Sequence, residues 1–373
     1  MTFAKRLATL DAPVVILTGF LTLLGLAILL SATGPIGVQR ANDSLFYVKR
    51  QLLTGVLPGL CIFCVAAFMD YRRLKSVAFA GLIVSLVLLV LVYLPGIGAI
   101  VNGARGWIRV GSWRFQPSEI VKMTFLVYIA AWLANRGKDV SDPHTGLLPF
   151  LSALGSVMLL LILQPDTGSM AVIVGTALAM YFLSGAPLTW FIGMVAAGTG
   201  TLWLLIRFAP YRAARFMTFL HPELDPLGVG YHINQAILAI GSGGWWGLGY
   251  GHSRQKFLYL PEVESDSIFA VMGEELGWML MIIILSAYLF LIWRCFRIAR
   301  ATTDRFGKYL AAGVGSWLAI QTLLNAGSMT GLLPMTGVTL PFVSHGGSAM
   351  TMLLAAMGIV AGIPSRSSRA PTV

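Results

Sequence analysis

Apolar residues in this chain of 373 residues are gathered into long stretches that polar residues separate. About ten of these stretches approach the roughly 20 residues that an α-helix needs to cross a bilayer. They span approximately 12–33, 50–69, 76–94, 117–135, 146–164, 167–184, 187–206, 267–293, 308–330 and 345–363. This pattern predicts an all-α polytopic integral membrane protein with about ten transmembrane helices in a single domain, residues 1–373.

The composition excludes an ordinary soluble protein. Hydrophobic residues make up 57% of the chain and charged residues only 11%, whereas soluble domains carry about 25% charged residues. The first stretch follows Lys5 and Arg6 and is too long for the apolar core of a signal peptide, so we expect a retained span. The three cysteines form no Cys/His cluster with zinc spacing, and no metal site is predicted from them.

The distribution of positive charge predicts the orientation in the membrane. With the N-terminus in the cytoplasm, most Lys and Arg of the short loops lie inside, among them Arg72, Arg73, Lys75, Arg136 and Lys138. Both termini are therefore predicted to be cytoplasmic, with one long extracytoplasmic loop at about residues 207–266. Topology and anionic lipid headgroups account for much of the net charge of +11, so it does not indicate nucleic acid.

Acidic residues concentrate where this long loop meets the eighth span. Five of the fifteen Asp and Glu residues fall between Glu262 and Glu275. Asp266 lies at the mouth of the span, where it either caps the helix or carries chemistry. Glu274 and Glu275 lie deeper in apolar sequence, where carboxylates are by default paired or functional.

A second polar stretch precedes the fourth span. Glu119 and Lys122 lie three residues apart on one helix face, which fits a buried structural ion pair or a polar relay. Upstream of them, basic and apolar residues alternate, which fits either an interfacial segment with aromatic anchors or an arginine site for phosphate. The alternating residues are Arg105, Trp107, Ile108, Arg109, Trp113 and Arg114.

Two further outer turns contain candidate residues. In LQPDTGSM, residues 163–170, Asp166 either caps the sixth span through the backbone at Gly168 or Ser169 or contributes to a site. The uncharged stretch at 325–350 is rich in Gly, Pro, Ser and Thr, so it either binds a polar ligand or only joins the last two spans. His345 within it is expected to be structural.

Together these stretches resemble the SEDS family of bacterial cell-wall polymerases over nearly the whole chain. The matching residues read NGARGWIRVG…QPSEIVK, QPDTGS, GGWWGLGYGHSRQKFLYLPE…DSIFAVMGEELG and LPMTGVTLPFVSHGGS. The third run is most similar to the FtsW, or division, branch of the family. The resemblance implies polymerisation of lipid II on the outer face of the bacterial cytoplasmic membrane, at the division septum.

The resemblance also implies roles for individual residues. Asp266 becomes the catalytic carboxylate, and Glu119 and Lys122 become the intramembrane pair of the family. Substrate contacts are implied for residues in the signature stretches: Arg105, Trp107, Arg109, Gln164, Asp166, Lys256, Glu262 and Ser344.

The chain departs from the family pattern at several positions. Glu264 and Ser265 stand before Asp266 where His and Thr are common, Leu258 stands where many FtsW proteins have Glu, and His345 replaces a common aromatic residue. The first two differences bear on how Asp266 is hydrogen-bonded and on whether a neighbouring carboxylate assists it.

The chemistry of chain growth fits this set of residues. A sugar hydroxyl must displace undecaprenyl pyrophosphate from another sugar, so a carboxylate such as Asp266 is expected as general base. The leaving pyrophosphate needs positive charge, which Arg105, Arg109 or Lys256 supplies, with a divalent cation (Mg²⁺ or Mn²⁺) as the only cofactor considered.

The implied partners are lipid II, a class B penicillin-binding protein transpeptidase and other divisome proteins, with no nucleic acid. Three alternatives stay open at the level of sequence: a lipid II flippase with Glu119, Lys122 and Glu274 along its polar path, a RodA-like polymerase serving elongation, and a non-catalytic division scaffold.

Overall fold

The computed structural model describes residues 9–101, 104–111, 113–208, 217–221 and 228–367. Helices dominate it, and we number them along the chain. They are α1 Ala12–Ala41, α2 Phe46–Phe68, α3 Arg72–Leu91, α4 Pro117–Arg136, α5 Pro143–Leu163, α6 Thr167–Leu183, α7 Leu188–Phe208, α8 Val229–Gly243, α9 Ile268–Ala301, α10 Arg305–Met329 and α11 Gly347–Gly362.

The predicted helical membrane fold is confirmed. A helix lies over each of the ten predicted apolar stretches, and α8 occupies part of the long loop. Among the described residues, seven helices are long and apolar enough to cross a membrane: α1, α2, α3, α4, α5, α9 and the helix at Gly347–Arg366. The count of ten spans and the cytoplasmic placement of both termini stay predictions.

Helix starts follow from acidic and proline residues that the sequence places there. Asp11, Asp166 and Asp304 each accept a backbone N–H from three residues further on, at 3.3, 3.0 and 2.9 Å. Such caps satisfy amides that otherwise lack a partner in the first turn. Pro117 opens α4, where its missing N–H costs nothing.

The helices are layered by burial. α4 and α11 are mostly buried, whereas the apolar side chains of α3 and much of α9 face outward, as in helices that contact lipid. Small residues permit the closest approaches: a Cβ added at Gly25 would lie 2.3 Å from the carbonyl oxygen of Phe342. Backbones in membrane helices commonly meet at such small residues.

Two ion pairs tie opposite ends of α1 and α9 together. Arg294 Nη2 lies 2.7 Å from Asp11 Oδ2 at the start of α1. Arg40 Nη1 lies 3.3 Å from Glu264 Oε1 at the other end, just before α9. The two helices therefore run antiparallel, with Glu264 and Asp266 at the end opposite Asp11.

α9 is broken at Gly277, whose φ of 71° lies in the left-handed region. Residues 244–256, here called the inserted segment, lie against this break. The N–H groups of Leu248 and Gly249 donate to the carbonyls of Glu274 and Glu275 at 2.9 and 3.0 Å. Trp278 and Met279 donate back to Gly244 and Trp245 at 3.0 and 3.1 Å. Backbone groups that the break would leave unpaired are thus satisfied.

The stretch before α4 forms a small sheet that the sequence did not predict. Strands β1 Gly98–Val101, β2 Ala104–Val110 and β3 Trp113–Phe115 pair antiparallel in the order β1-β2-β3. The alternation of basic and apolar residues here follows the two-residue period of a strand. In the sequence of a helical protein, the alternation in three such short strands is too weak to be distinguished from that of an interfacial segment.

Candidate active site

The four polar stretches meet at the Asp266 end of the helices. Ser118 Oγ donates to Asp166 Oδ2 at 2.9 Å, which joins the stretch at α4 to the turn before α6. Gln116 N donates to Ser348 Oγ at 3.2 Å, which joins the start of α4 to the first turn of α11. His345 N donates to the carbonyl of Glu264 at 2.7 Å. Residues far apart in sequence therefore surround one polar region.

Asp266 lies in the turn that precedes α9 and exposes 8% of its surface. Ser267, rather than Asp266, is the residue at which α9 is capped. Ser265 Oγ lies 3.4 Å from Asp266 Oδ1. The start of α9 therefore lies one residue later than the capping interpretation of Asp266 expected, and the role of the Asp266 side chain stays a prediction.

Asn325 holds the main chain at Asp266. Its buried side-chain amide donates to the carbonyl oxygen of Asp266 at 2.9 Å and to that of Val338 at 2.7 Å. One side chain thus joins α10 to the turn before α9 and to the stretch before α11. Sequence analysis missed this residue, since a lone Asn near a helix end carries no distinctive signal.

Glu264 clamps the same turn from the other side. Its Oε1 accepts from Tyr47 Oη and Arg40 Nη1, both at 3.3 Å, and Arg40 also donates to Tyr47 Oη at 2.6 Å. The clamp ties the turn to the ends of α1 and α2. Glu264, the carboxylate that precedes Asp266 most closely in sequence, is thus paired with Arg40.

Asp166 is both a cap and part of the polar region. Its Oδ1 accepts from Ser169 N at 3.0 Å, as the capping interpretation predicted, while Oδ2 accepts from Ser118 and from Gln116 Nε2 at 3.3 Å. A Cβ added at Gly168 would lie 2.6 Å from the carbonyl of Thr336, so this turn packs directly on the stretch before α11.

The predicted phosphate-binding arginines lie on the sheet. Arg109 and Arg114 face each other across β2 and β3, and both are exposed. Like charges directly opposite each other in a sheet are unfavourable, so the pair is suited to an anion that bridges them. Trp107, on β2, is partly exposed. The side chain of Arg105, also predicted to contact substrate, lies outside the described residues.

Four of the expected substrate contacts have protein partners instead. Lys256 is buried and lies 2.8 Å from Glu275. Ser344 Oγ accepts from Leu340 N at 2.8 Å, and Gln164 Nε2 donates to the carbonyl of Leu89 at 2.7 Å. Glu262 is exposed, and its Oε2 accepts from Ser265 Oγ at 3.1 Å. In this geometry Lys256, Ser344 and Gln164 are buried and hydrogen-bonded within the protein, and their contact with substrate stays a prediction.

Glu119 and Lys122 form a buried ion pair in α4. Lys122 Nζ lies 2.7 Å from Glu119 Oε1, and both side chains expose less than a tenth of their surface. Among the described residues, Glu119 Oε2 has no hydrogen-bond partner. The residues therefore contact each other, next to Ser118 and the Asp166 cluster.

His345 packs beside this region and lies outside the membrane-spanning helices. Its ring meets that of Tyr47 edge-on at 5.4 Å between centroids. The residue as a whole is part-buried, but Nδ1 is inaccessible and has no hydrogen-bond partner among the described residues. Burial, together with the nearby Arg50 guanidinium, lowers the pKa of His345 from 6.5 to about 4.

The described residues contain no group of three or more His, Cys, Asp or Glu side chains that could hold a metal ion. The predicted use of Mg²⁺ or Mn²⁺ stays a prediction.

The fold and the polar region define a multi-pass membrane protein with a carboxylate site at one end of its helices. The sequence profile of the FtsW/RodA/SpoVE family, described as "Cell cycle protein", matches residues 12–369. The chain belongs to this family.

Relatives match nearly the whole chain. The chain is 39% identical over 359 residues to "Stage V sporulation protein E" of Bacillus subtilis, covering 96% of this chain and 98% of that one. It is 40% identical over 349 residues to "Probable peptidoglycan glycosyltransferase FtsW" of Thioalkalivibrio sulfidiphilus, covering 91% and 86%.

Solved structures share the fold. A chain from "Structural coordination of polymerization and crosslinking by a peptidoglycan synthase complex" matches with a TM-score of 0.79 at 27% identity, over 97% of this chain and 99% of that one. The rod shape determining protein RodA of Thermus thermophilus matches with a TM-score of 0.69 at 26% identity, over 97% and 98%.

Breaking the buried pair should destabilise the protein. Lys122→Met strands the Glu119 carboxylate in an apolar setting, at an expected cost of about 3–5 kcal/mol. Lys122→Met combined with Glu119→Gln removes both charges and should recover part of that loss. Thermal unfolding in one detergent measures the effect, with Lys75→Met, at an exposed position in the first turn of α3, as control. An unchanged Tm in Lys122→Met would contradict the pairing.

Protonation of His345 at acidic pH should destabilise the folded protein. Because its folded pKa of about 4 lies below the ordinary 6.5, the unfolded chain binds the proton first as pH falls. The contribution of His345 to stability is therefore complete above pH 6.5 and is lost progressively between 6.5 and 4. Tm measured across this range should fall less in His345→Phe than in the parent. Parallel curves for the two proteins would show that His345 is solvated.

Proposed function

We propose that this protein is a peptidoglycan glycosyltransferase that polymerises lipid II into glycan strands, with Asp266 as general base. The observation that carries the proposal is the meeting of the four signature stretches around Asp266 in a chain of the FtsW/RodA/SpoVE family. Further support comes from relatives whose names describe peptidoglycan glycosyltransferases.

The reaction assigns a task to each part of the site. An acceptor sugar hydroxyl attacks the anomeric carbon of the donor, and its proton passes to the Asp266 carboxylate. The new C–O bond forms as the bond from the anomeric carbon to the pyrophosphate oxygen breaks. The pyrophosphate leaves with the bonding electrons, so it needs cationic groups in place.

The facing arginines Arg109 and Arg114 suit that leaving group. Two guanidinium groups at neighbouring strand positions offer parallel donors to phosphate oxygens. A bound anion would relieve the repulsion that the pair carries by itself. Mg²⁺ or Mn²⁺, which phosphate oxygens bind readily, would add further positive charge to this leaving group.

The flippase alternative receives less support from the contacts. The polar side chains that would line its path are engaged within the protein: Glu119 with Lys122, and Glu274 with residues 253–255. A scaffold role would not require a carboxylate and opposed arginines in the signature stretches.

We further infer that the chain acts in the bacterial cytoplasmic membrane, with its site extracytoplasmic, beside a class B penicillin-binding protein and other divisome proteins. A similar chain comes from a peptidoglycan synthase complex that couples polymerization to crosslinking. Relatives named FtsW favour the division septum, although a sporulation protein and RodA are also similar.

Replacing the base should abolish polymerisation without unfolding the protein. Asp266→Asn keeps the size of the side chain but cannot accept the proton, so the rate should fall by about 10²–10⁴. Polymerisation of labelled lipid II by purified protein measures this, with Asp139→Asn, at an exposed carboxylate between α4 and α5, as control. Near-normal polymerisation by folded Asp266→Asn would exclude the assignment, and a selective loss of lipid II transport would favour the flippase.

A transpeptidase partner should raise the activity. The protein and a single-span class B penicillin-binding protein from the same organism should co-purify after mild detergent extraction. Adding the partner to the separated protein should increase polymerisation, because binding shifts the outer segment toward its competent state. Equal activity with and without the partner would refute activation and leave the polymerase proposal standing.

A further inference from the structure

Two adjacent carboxylates hold the inserted segment at the break in α9. Glu274 accepts from Ser253 Oγ at 2.5 Å and from the N–H groups of Arg254 and Gln255 at 3.0 and 3.3 Å. Glu275, one residue on, accepts from Ser253 N at 3.3 Å. A short stretch of the inserted segment is therefore folded around two buried acids.

Glu275 also forms an ion pair that reaches α1. Lys256 Nζ lies 2.8 Å from Glu275 Oε1, and the two side chains expose 4% and 0% of their surface. Ser31 Oγ of α1 donates to Glu275 at 2.7 Å and accepts from Lys256 Nζ at 3.1 Å. The pair thus joins three parts of the chain: α1, α9 and the inserted segment.

Lys256 has no hydrogen left for a ligand. An ammonium group has three donors, and Nζ has three acceptors: Glu275 Oε1, Ser31 Oγ and the carbonyl of Gly251 at 2.7 Å. Lys122 differs, since only one acceptor, Glu119 Oε1, lies at its Nζ among the described residues. A pyrophosphate would reach Lys256 only after these bonds opened.

Local hydrogen bonds fold the stretch of chain that joins this pair to Asp266. Leu260 N donates to the carbonyl of Gln255 at 2.9 Å. Ser267 Oγ donates to the carbonyl of Pro261 at 2.6 Å, and Ser267 N donates to that of Glu262 at 3.3 Å. Residues 256–266 are therefore held in place at one end by the contacts of Lys256 and at the other end by the hydrogen bonds of Ser267.

We propose that Lys256, Glu275 and Ser31 form a latch that positions Asp266 by holding the inserted segment between α1 and α9. Lys256 and Glu275 are thus positioning residues and do not contact the substrate. The proposal rests on the proposed function, because its kinetic consequence requires Asp266 to be the base. The structural consequence of the latch, which is the ordering of residues 244–266, does not depend on the role of Asp266.

The latch predicts a specific pattern of loss and rescue. Removing one partner of a buried pair leaves an uncompensated charge, whereas removing both is much better tolerated. Lys256→Met should lower kcat by about 10- to 100-fold through misplacement of the base, with KM for lipid II unchanged. Glu275→Gln should act in the same direction, and the double variant should regain most of the lost kcat.

Two measurements on the full-length protein test this together. Lipid II polymerisation gives kcat and KM, and hydrogen exchange reports the order of residues 244–266. Exchange there should be faster in Lys256→Met, slow again in the double variant and unaltered in Lys308→Met, which removes an exposed lysine at the start of α10. Ser31→Ala keeps the ion pair and should show a smaller effect of the same kind, which covers the case in which Lys256→Met does not fold.

Other outcomes would overturn the proposal. A raised KM with unchanged kcat and unchanged exchange would make Lys256 a substrate contact. A double variant with restored exchange but no restored kcat would mean that Lys256 or Glu275 takes part in the reaction itself. If the parent protein did not polymerise lipid II, the proposed function would fail, while exchange and its rescue would still decide whether the latch exists.

Discussion

The break of α9 at Gly277 is the constraint on which the arrangement of the site depends. Lipid offers no hydrogen bonds, so a helix interrupted among apolar residues must find protein partners for its free backbone groups. Residues 244–249 supply four of these bonds. A Cβ added at Gly247 would lie 2.2 Å from the carbonyl of Glu275, so the two backbones meet as closely as glycine allows. Once the chain has entered this position, it must turn back to reach the start of α9, and Asp266 lies on that return.

The two buried ion pairs of the described chain differ in how many of their hydrogen-bonding groups have partners. Around Glu275 every donor and acceptor is used within the protein, which suits a structural junction. Within the described residues, Lys122 Nζ has one hydrogen bond, to Glu119 Oε1, and Glu119 Oε2 has none. Unmet hydrogen bonds in an apolar interior are costly. The α4 pair therefore has capacity for water or another polar group that the Lys256 pair lacks.

Two of the positions at which this chain departs from the family pattern, Glu264 and His345, are in contact. Glu264 accepts a hydrogen bond from Tyr47, and the ring of His345 packs edge-on against that same Tyr47. His345 N also donates to the carbonyl of Glu264. The two differences thus lie in one contact set and hold the turn of Asp266 against α1 and α2. Asn325 and the latch hold the same turn from its other sides.

By itself, the sequence determined the helical membrane fold, the approximate extent of each helix, the cap at Asp166, the start of α4 at Pro117, and the family. These follow from local properties: runs of apolar residues, a capping carboxylate, a proline in a first turn and ordered motifs. Only the tertiary structure decided the small sheet, the Asn325 junction and the engagement of Lys256, Gln164 and Ser344 by the protein. The sequence around Lys256 does not distinguish an ammonium group that contacts pyrophosphate from one that contacts Glu275. Its partners come from residues as distant as Ser31, and spacing along the chain does not encode such contacts.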